Sequence, residues 1–378
     1  MFSNGSEAID FPVIRFGAAA ASGGRLRLLN PVRTIDLDQN SPVKGAPDLK
    51  AWSGAMNVMS VDAVETSTAS KYDRLIEAAQ TVPAASTVVV HPCDENSLRG
   101  VVDSAAAGII RPLLVGPETK IRETASRCRL DISGIEVVDA PHSEAAASKA
   151  VELIHAARGE LLMKGSLHTD ELMRSVTAKA GGLRTDRRIS HVFVMDVPAY
   201  AETLFVTDAA INIFPDLDAK RDIIQNAIDL YTQAGFGQSP RVAILSAVET
   251  VTSKIPSTIE AAALCKMADR GQITGGLLDG PLAFDNAIDV EAARIKGIKS
   301  EVAGRAQILL VPDLEAGNML AKNLAYFAKA DGAGIVLGAR VPIVLTSRAD
   351  SARGRMASCA VAALYANARR QHAPTVAA

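Results

Sequence analysis

The sequence lacks the features that would tie it to a disulfide scaffold, a membrane or a nucleic acid. Its 378 residues hold only four cysteines, Cys93, Cys128, Cys265 and Cys359, and no two of them form a CxxC pair. Thiols scattered in this way argue against a disulfide framework or a structural zinc site, and suit a reducing compartment. No apolar run approaches the ~18 residues that a membrane span needs. The N-terminus has no charged region leading into an apolar one, as a secretory signal would, so a cytoplasmic globular protein is expected. A formal net charge of −2 gives no footprint for nucleic acid or a membrane surface, so anion binding must come from local basic clusters. Also missing are GxxxxGK[ST], HExxH, GxSxG and a GxGxxG after a strand; Gly332, Gly334 and Gly338 have the wrong spacing for the last. P-loop kinase and α/β-hydrolase readings are therefore disfavoured. No repeat of fixed period and no low-complexity tract is present.

The length suffices for two or three domains, each with its own core. With 48% hydrophobic and 22% charged residues, wholesale disorder is excluded. Residues 1–70 differ from the rest: stretches such as AAAASGGRL and DQNSPVKGAPD never acquire a sustained period, and they read as a poorly ordered extension. From Lys71 onward helical and strand patterns alternate: KYDRLIEAAQTV, STVVVHP, SLRGVVDSAAAG, RPLLVGP, TKIRETASRC, IEVVDAP. Such alternation with short Gly/Pro turns predicts βαβ units around a parallel sheet. The basic, Gly-containing stretch at 181–190 is a natural domain boundary, after which the alternation restarts with HVFVMDV and TLFVTDAAINI. The expected architecture is two parallel-sheet α/β lobes with a cleft between them. The first comprises 71–188 and 336–378, and the second 189–335.

Three stretches offer chemistry. In PIVLTSRADSARGRMAS an apolar β-branched run changes abruptly into Ser347, Arg348 and Asp350. The carboxyl end of a strand in an open α/β sheet, beside a helix N-terminus, is where anions and developing oxyanions bind. Ser347 also suits a plain N-cap, and Arg348 a surface ion pair. In MKGSLHTDELMRSV, Lys164, His168, Thr169 and Arg174 can converge, with Gly165 permitting a tight turn and Thr169 capping the helix; a capped helix with a solvated basic face fits equally. In LLDGPLAFDNAI, Asp279-Gly280-Pro281 reads as a turn, and Asp279 and Asp285 are candidate carboxylates if that turn faces the cleft.

Taken together, MKGSLHTDELMR, HVFVMDVPAY, LFVTDAAINI, KMADRGQITGGLLDGPLAFDNAI, VAGRAQILLVPDLEAGNM and VPIVLTSR resemble the phosphate acetyl/butyryltransferase family, from about Thr87 to the final helix. The resemblance implies a fold similar to the isocitrate and isopropylmalate dehydrogenases, and usually a homodimer. It implies reversible transfer of a short acyl group between coenzyme A and inorganic phosphate, in a ternary complex. Coenzyme A is then a substrate, no metal or redox cofactor is required, and an acetate kinase is the expected metabolic neighbour. Ser347 matches the family's active-site serine, placed to hydrogen-bond the developing oxyanion or sulfur. Arg348 matches the adjacent arginine that grips the phosphoryl group, and Arg174 a further arginine for the anionic substrate.

Two positions depart from the acetyl-type pattern. The aspartate that serves as base seven residues after the serine is Gly354 here, leaving Asp350 as the nearest carboxylate, as in butyryl-type members. An arginine after the first strand is replaced by Asn96, so contacts to coenzyme A are expected from Lys164 and from Arg184, Arg187 and Arg188. Acetyl transfer is the expected activity, with butyryl transfer as the alternative. Two rivals come from other classes. A nicotinamide-dependent decarboxylating dehydrogenase would need clustered aspartates, which Asp313 and Asp331 do not convincingly supply. The other is a non-catalytic protein binding coenzyme A or a metabolite.

Overall fold

Strands such as Ala85–Val90 (β1) are apolar on both faces, with Val88, Val89 and Val90 fully buried, because helices cover a parallel sheet on either side. The computed structural model describes residues 70–346 and 351–372. Residues 1–69 of the expected extension, and Ser347, Arg348 and Asp350, lie outside the described residues. The described residues belong to a single contact unit.

Among the described residues the remaining strands are β2 (Ile110–Gly116), β3 (Glu136–Asp139), β4 (Leu161–Lys164), β5 (Ser190–Asp196), β6 (Leu204–Thr207), β7 (Arg241–Leu245), β8 (Leu277–Leu282), β9 (Ile308–Leu310), β10 (Asp331–Leu337) and β11 (Ile343–Val344). They form one eleven-stranded sheet in the order β3-β2-β1-β4-β11-β10-β5-β6-β9-β7-β8. The block β3-β2-β1-β4-β11 is parallel, and so is β6-β9-β7-β8. Between them β10 is antiparallel to both β11 and β5, and β5 is antiparallel to β6. The two blocks therefore run in opposite directions. The expected α/β class holds, with one qualification: the two parallel sheets are edge-joined into one by an antiparallel middle.

The core is asymmetric. On one face a single apolar layer runs under both blocks, including Val89, Leu114, Val192, Val194 and Val242, covered by α1 (Lys71–Gln80), α6 (Leu217–Gln233) and α11 (Ala352–His372). On the other face the core is split. One layer gathers Val90, Leu162, Leu167 and Ile343; the other gathers Met195, Leu204, Leu245 and Leu309. Each fully buried side chain of this kind stabilises the fold by roughly 1.5–3 kcal/mol. The middle strands on that split face lie between two cores.

Two expectations are corrected. Asp279-Gly280-Pro281 is not a turn but lies within β8, whose Gly280–Pro281 bond is cis. β8 is the edge of the sheet, where a proline lacking its N–H costs no ladder bond. The strand expected over TLFVTDAAINI stops at Thr207. Asp208 ends it by accepting the amides of Ala210 and Ile211 at 3.0 Å each and of Asn212 at 3.2 Å.

Candidate active site

A cleft of about 630 Å³ opens on the split face, and its lining comes from both blocks. The carboxyl end of β4 contributes Lys164, and the start of α5 (Thr169–Val176) contributes His168 and Thr169. β5 contributes His191, Phe193 and Met195. Alternation along a strand puts these three on one face, while Val192 and Val194 point into the continuous core opposite. Helix α10 (Leu314–Tyr326) lines the far side with Asn318 and Lys322, and Asp331, Leu345, Thr346 and Ser351 complete the wall.

A second cavity of about 340 Å³ shares Lys164 and Thr346 with the first. It reaches the first turn of α2 (Glu95–Ala106), where Asp94 caps the helix by accepting the Ser97 amide at 2.7 Å. Asn96 lines it, and so does Arg355, a buried guanidinium that donates to Thr346 Oγ1 at 2.9 Å. Lys164 is also buried, its Nζ donating to the Gly165 carbonyl at 3.1 Å. Two buried cations, Lys164 and Arg355, therefore stand beside Thr346, which both cavities share. Gly165 is needed for close approach rather than for a special φ: a Cβ there would stand 2.3 Å from the Val90 carbonyl oxygen.

Of the residues read from the sequence, Lys164, His168 and Thr169 are brought together in the cleft. Thr169 is not the cap expected of it; His168 holds the N-cap position and makes no side-chain cap bond. Arg174 and Asp279 do not line either cavity. Arg174 is solvent-exposed and pairs with Glu144 at 3.0 Å and Asp170 at 3.9 Å. Asp279 accepts the Gly280 amide at 2.8 Å on the edge strand. In the basic stretch, Arg187 pairs with Asp229 at 3.5 Å and Arg188 Nε donates to Asn212 Oδ1 at 2.7 Å; neither these two nor Arg184 lines either of the two cavities. Asp313 caps α10, and Asp331 meets Arg353 at 3.6 Å. Among the described residues no group of three or more His, Cys, Asp and Glu side chains is arranged to hold a metal ion.

Gly354, the position of the acetyl-type aspartate, is buried in the first turn of α11. A Cβ there would stand 2.9 Å from the Gly332 carbonyl oxygen, so the backbone leaves no room for any side chain.

The sequence reading missed His191, Phe193, Met195, Asn318, Lys322 and Arg355. The first three were signalled by HVFVMDV, where alternation places a lone histidine on a buried face; Asn318 and Lys322 lie four apart on one helix face. Nothing local marked Arg355 as buried. Burial pushes the His191 imidazole down to about 3, so it is neutral at physiological pH. Burial raises Cys93 and Cys359 to about 11 and Cys265 to about 12. None of these three thiols supplies a thiolate nucleophile near neutrality.

A cleft over the middle of a sheet, between oppositely directed parallel blocks, with buried Lys164 shared with an adjoining cavity that also holds buried Arg355, defines an α/β protein suited to an anionic ligand. The sequence profile of the phosphate acetyl/butaryl transferase family matches residues 143–363. The chain is 73% identical over 301 residues to the phosphate acetyltransferase of Rhizobium meliloti, covering 80% of this chain and 95% of that one. It is 41% identical over 295 residues to the phosphate butyryltransferase of Clostridium beijerinckii, covering 78% and 97%. Among solved structures, a branched-chain phosphotransacylase from Enterococcus faecalis superposes with a TM-score of 0.65 at 28% identity, covering 74% of this chain and 98% of that one. The chain belongs to the phosphate acetyl/butyryltransferase family.

Proposed function

We propose that the protein is a phosphate acetyltransferase, moving an acetyl group reversibly between acetyl-CoA and inorganic phosphate. The observation that carries this reading is the 73% identity to a phosphate acetyltransferase along nearly its whole length. The butyryltransferase relative is more distant at 41%, which favours acetyl over butyryl as the transferred group. The cleft and the cavity beside it suit both substrates, since buried Lys164 borders both and buried Arg355 borders the second, and polyanionic ligands need such partners.

In the forward direction a phosphate oxygen attacks the thioester carbonyl, the carbonyl oxygen gathers negative charge, and the C–S bond breaks as the thiolate leaves. Acetyl phosphate and coenzyme A are the products. No atom changes oxidation state, so the reaction calls for no redox cofactor. Ser347 is assigned to hydrogen-bond the developing charge, Arg348 to grip the phosphoryl group in a bidentate manner, and Asp350 to accept the coenzyme A thiol proton in reverse. An unassisted thiol titrates near 8.5 and needs such a base at neutral pH. A cytoplasmic homodimer passing acetyl phosphate to an acetate kinase completes the reading.

The test is thiol release from acetyl-CoA, dependent on phosphate, by the purified full-length chain. Relative kcat/KM for acetyl-, propionyl- and butyryl-CoA ranks the acyl groups. Asp350→Asn is expected to lower kcat by about 10²–10⁴-fold with unchanged Tm, and to recover partly at high pH as the thiol ionises unaided. A near-wild-type rate at neutral pH would remove Asp350 as the base. Tight coenzyme A binding without turnover would favour a non-catalytic protein.

A further inference from the structure

His191 is fully buried, yet among the described residues neither ring nitrogen has a hydrogen-bond partner. A polar group left in this state destabilises the fold, and in native proteins it calls for a reason. Its immediate surroundings are apolar: the Phe193 ring meets it edge-on with centroids 4.4 Å apart, and Met195 follows on the same face of β5. The neighbouring strand passes close beside it, and only glycine fits there. Gly334 pairs with Phe193 and Gly332 with Met195. A Cβ on Gly334 would stand 3.0 Å from His191 Nε2 and 2.4 Å from the Leu345 carbonyl oxygen, and one on Gly332 would stand 3.2 Å from Met195 Sδ. These glycines do not form a nucleotide loop. Gly332 lines the cleft together with His191, while Gly334 lets the backbone of Leu345 pack beside the imidazole.

We propose that His191 donates a hydrogen bond to the acyl carbonyl oxygen of the bound substrate, in an acyl pocket that it forms with Phe193 and Met195 beside Gly332 and Gly334. The inference rests on the acyl-transfer reading above and adds the residue that holds the acyl group. A neutral imidazole has one N–H to give and no charge, so it suits a carbonyl in an apolar pocket better than a phosphate dianion, for which Lys164 and Arg355 stand nearby. The bond strengthens as negative charge gathers on that oxygen during attack. No proton is transferred to or from His191 in this role.

The experiment compares wild type, His191→Phe and His191→Gln in the full-length chain. His191→Phe keeps an aromatic ring and removes the donor; His191→Gln keeps a donor. The readouts are phosphate-dependent thiol release, Tm, and equilibrium affinities for coenzyme A and acetyl-CoA. In His191→Phe we expect kcat to fall at least about 10²-fold, Tm to hold or rise, and phosphate KM and coenzyme A Kd to stay within about twofold, with partial rescue in His191→Gln. A kcat within about threefold of wild type in His191→Phe overturns the proposal. So does a loss confined to phosphate KM, or a joint fall of Tm and coenzyme A affinity in both variants. A wild-type chain that binds acetyl-CoA without turnover refutes acyl transfer instead. The contact is then read from the ratio of acetyl-CoA to coenzyme A affinity: His191→Phe brings it towards one if the contact exists, and an unchanged ratio overturns it.

Discussion

At residue scale, Gly354 and His191 show how tightly the cleft is specified. The hydrogen-bonded first turn of α11, where Gly354 N–H donates to Ser351 Oγ at 3.0 Å and its carbonyl accepts Ser358 Oγ–H at 2.8 Å, sits directly on the β10 backbone. Gly354→Ala is expected to destabilise the protein by about 1–3 kcal/mol, the usual cost of overpacking, as measured by chemical denaturation; a neutral result would mean that the turn can move. His191 makes the protein acid-sensitive. In the unfolded chain an imidazole titrates near 6.5, and burial lowers it to about 3 in the fold. Between those values the unfolded chain binds the extra proton. Stability therefore falls as pH drops from 6.5 towards 3, by up to about 1.4 kcal/mol per pH unit from this group. Lys164, His168, Lys322 and Asp331 line the same cleft, so the contribution is isolated by difference: Tm against pH should be shallower in His191→Phe than in wild type. Parallel slopes would place the acid sensitivity elsewhere.

At the scale of elements, α1 clamps the antiparallel middle of the sheet. Tyr72 Oη donates to the Val194 carbonyl at 2.5 Å, Lys71 pairs with Asp196 at 2.9 Å, and Arg353 of α11 reaches Asp73 at 2.7 Å. The helix is held at its start by a capping box in which Ser70 Oγ accepts the Asp73 amide and Asp73 accepts the Ser70 amide. Ser70→Ala is expected to cost about 1 kcal/mol, read as a lowered denaturation midpoint; no change would show that the Lys71, Tyr72 and Asp73 contacts hold the helix without the cap. Most elements were legible in the sequence because their periods were strong: Leu75 and Ala79 on one face of α1, and unbroken valines in β1. Asp279 was misplaced because Asp-Gly-Pro has the same local preference in a turn as at a sheet edge, and only β7 beside it decides the outcome.

At the scale of the molecule, the contact unit beginning at Thr66 contains Ser70 and with it the first helix cap. A chain starting at Thr66 is expected to keep the wild-type Tm, whereas one starting at Lys71 loses the cap and melts lower. Equal losses in both would assign a stabilising role to residues before Thr66. The sequence by itself determined the α/β class, the alternation of elements, the family, and the pairing of Lys164 with the start of α5, since these depend on local period and on ordered motifs. The tertiary structure alone decided that the two blocks join through β10 and β5, that Arg174 faces solvent, and that His191, unpaired among the described residues, lines the cleft beside Gly332. Those outcomes depend on which distant strands become neighbours, and β10 lies more than a hundred residues from β5, one of the two strands it pairs with; no local pattern carries that information.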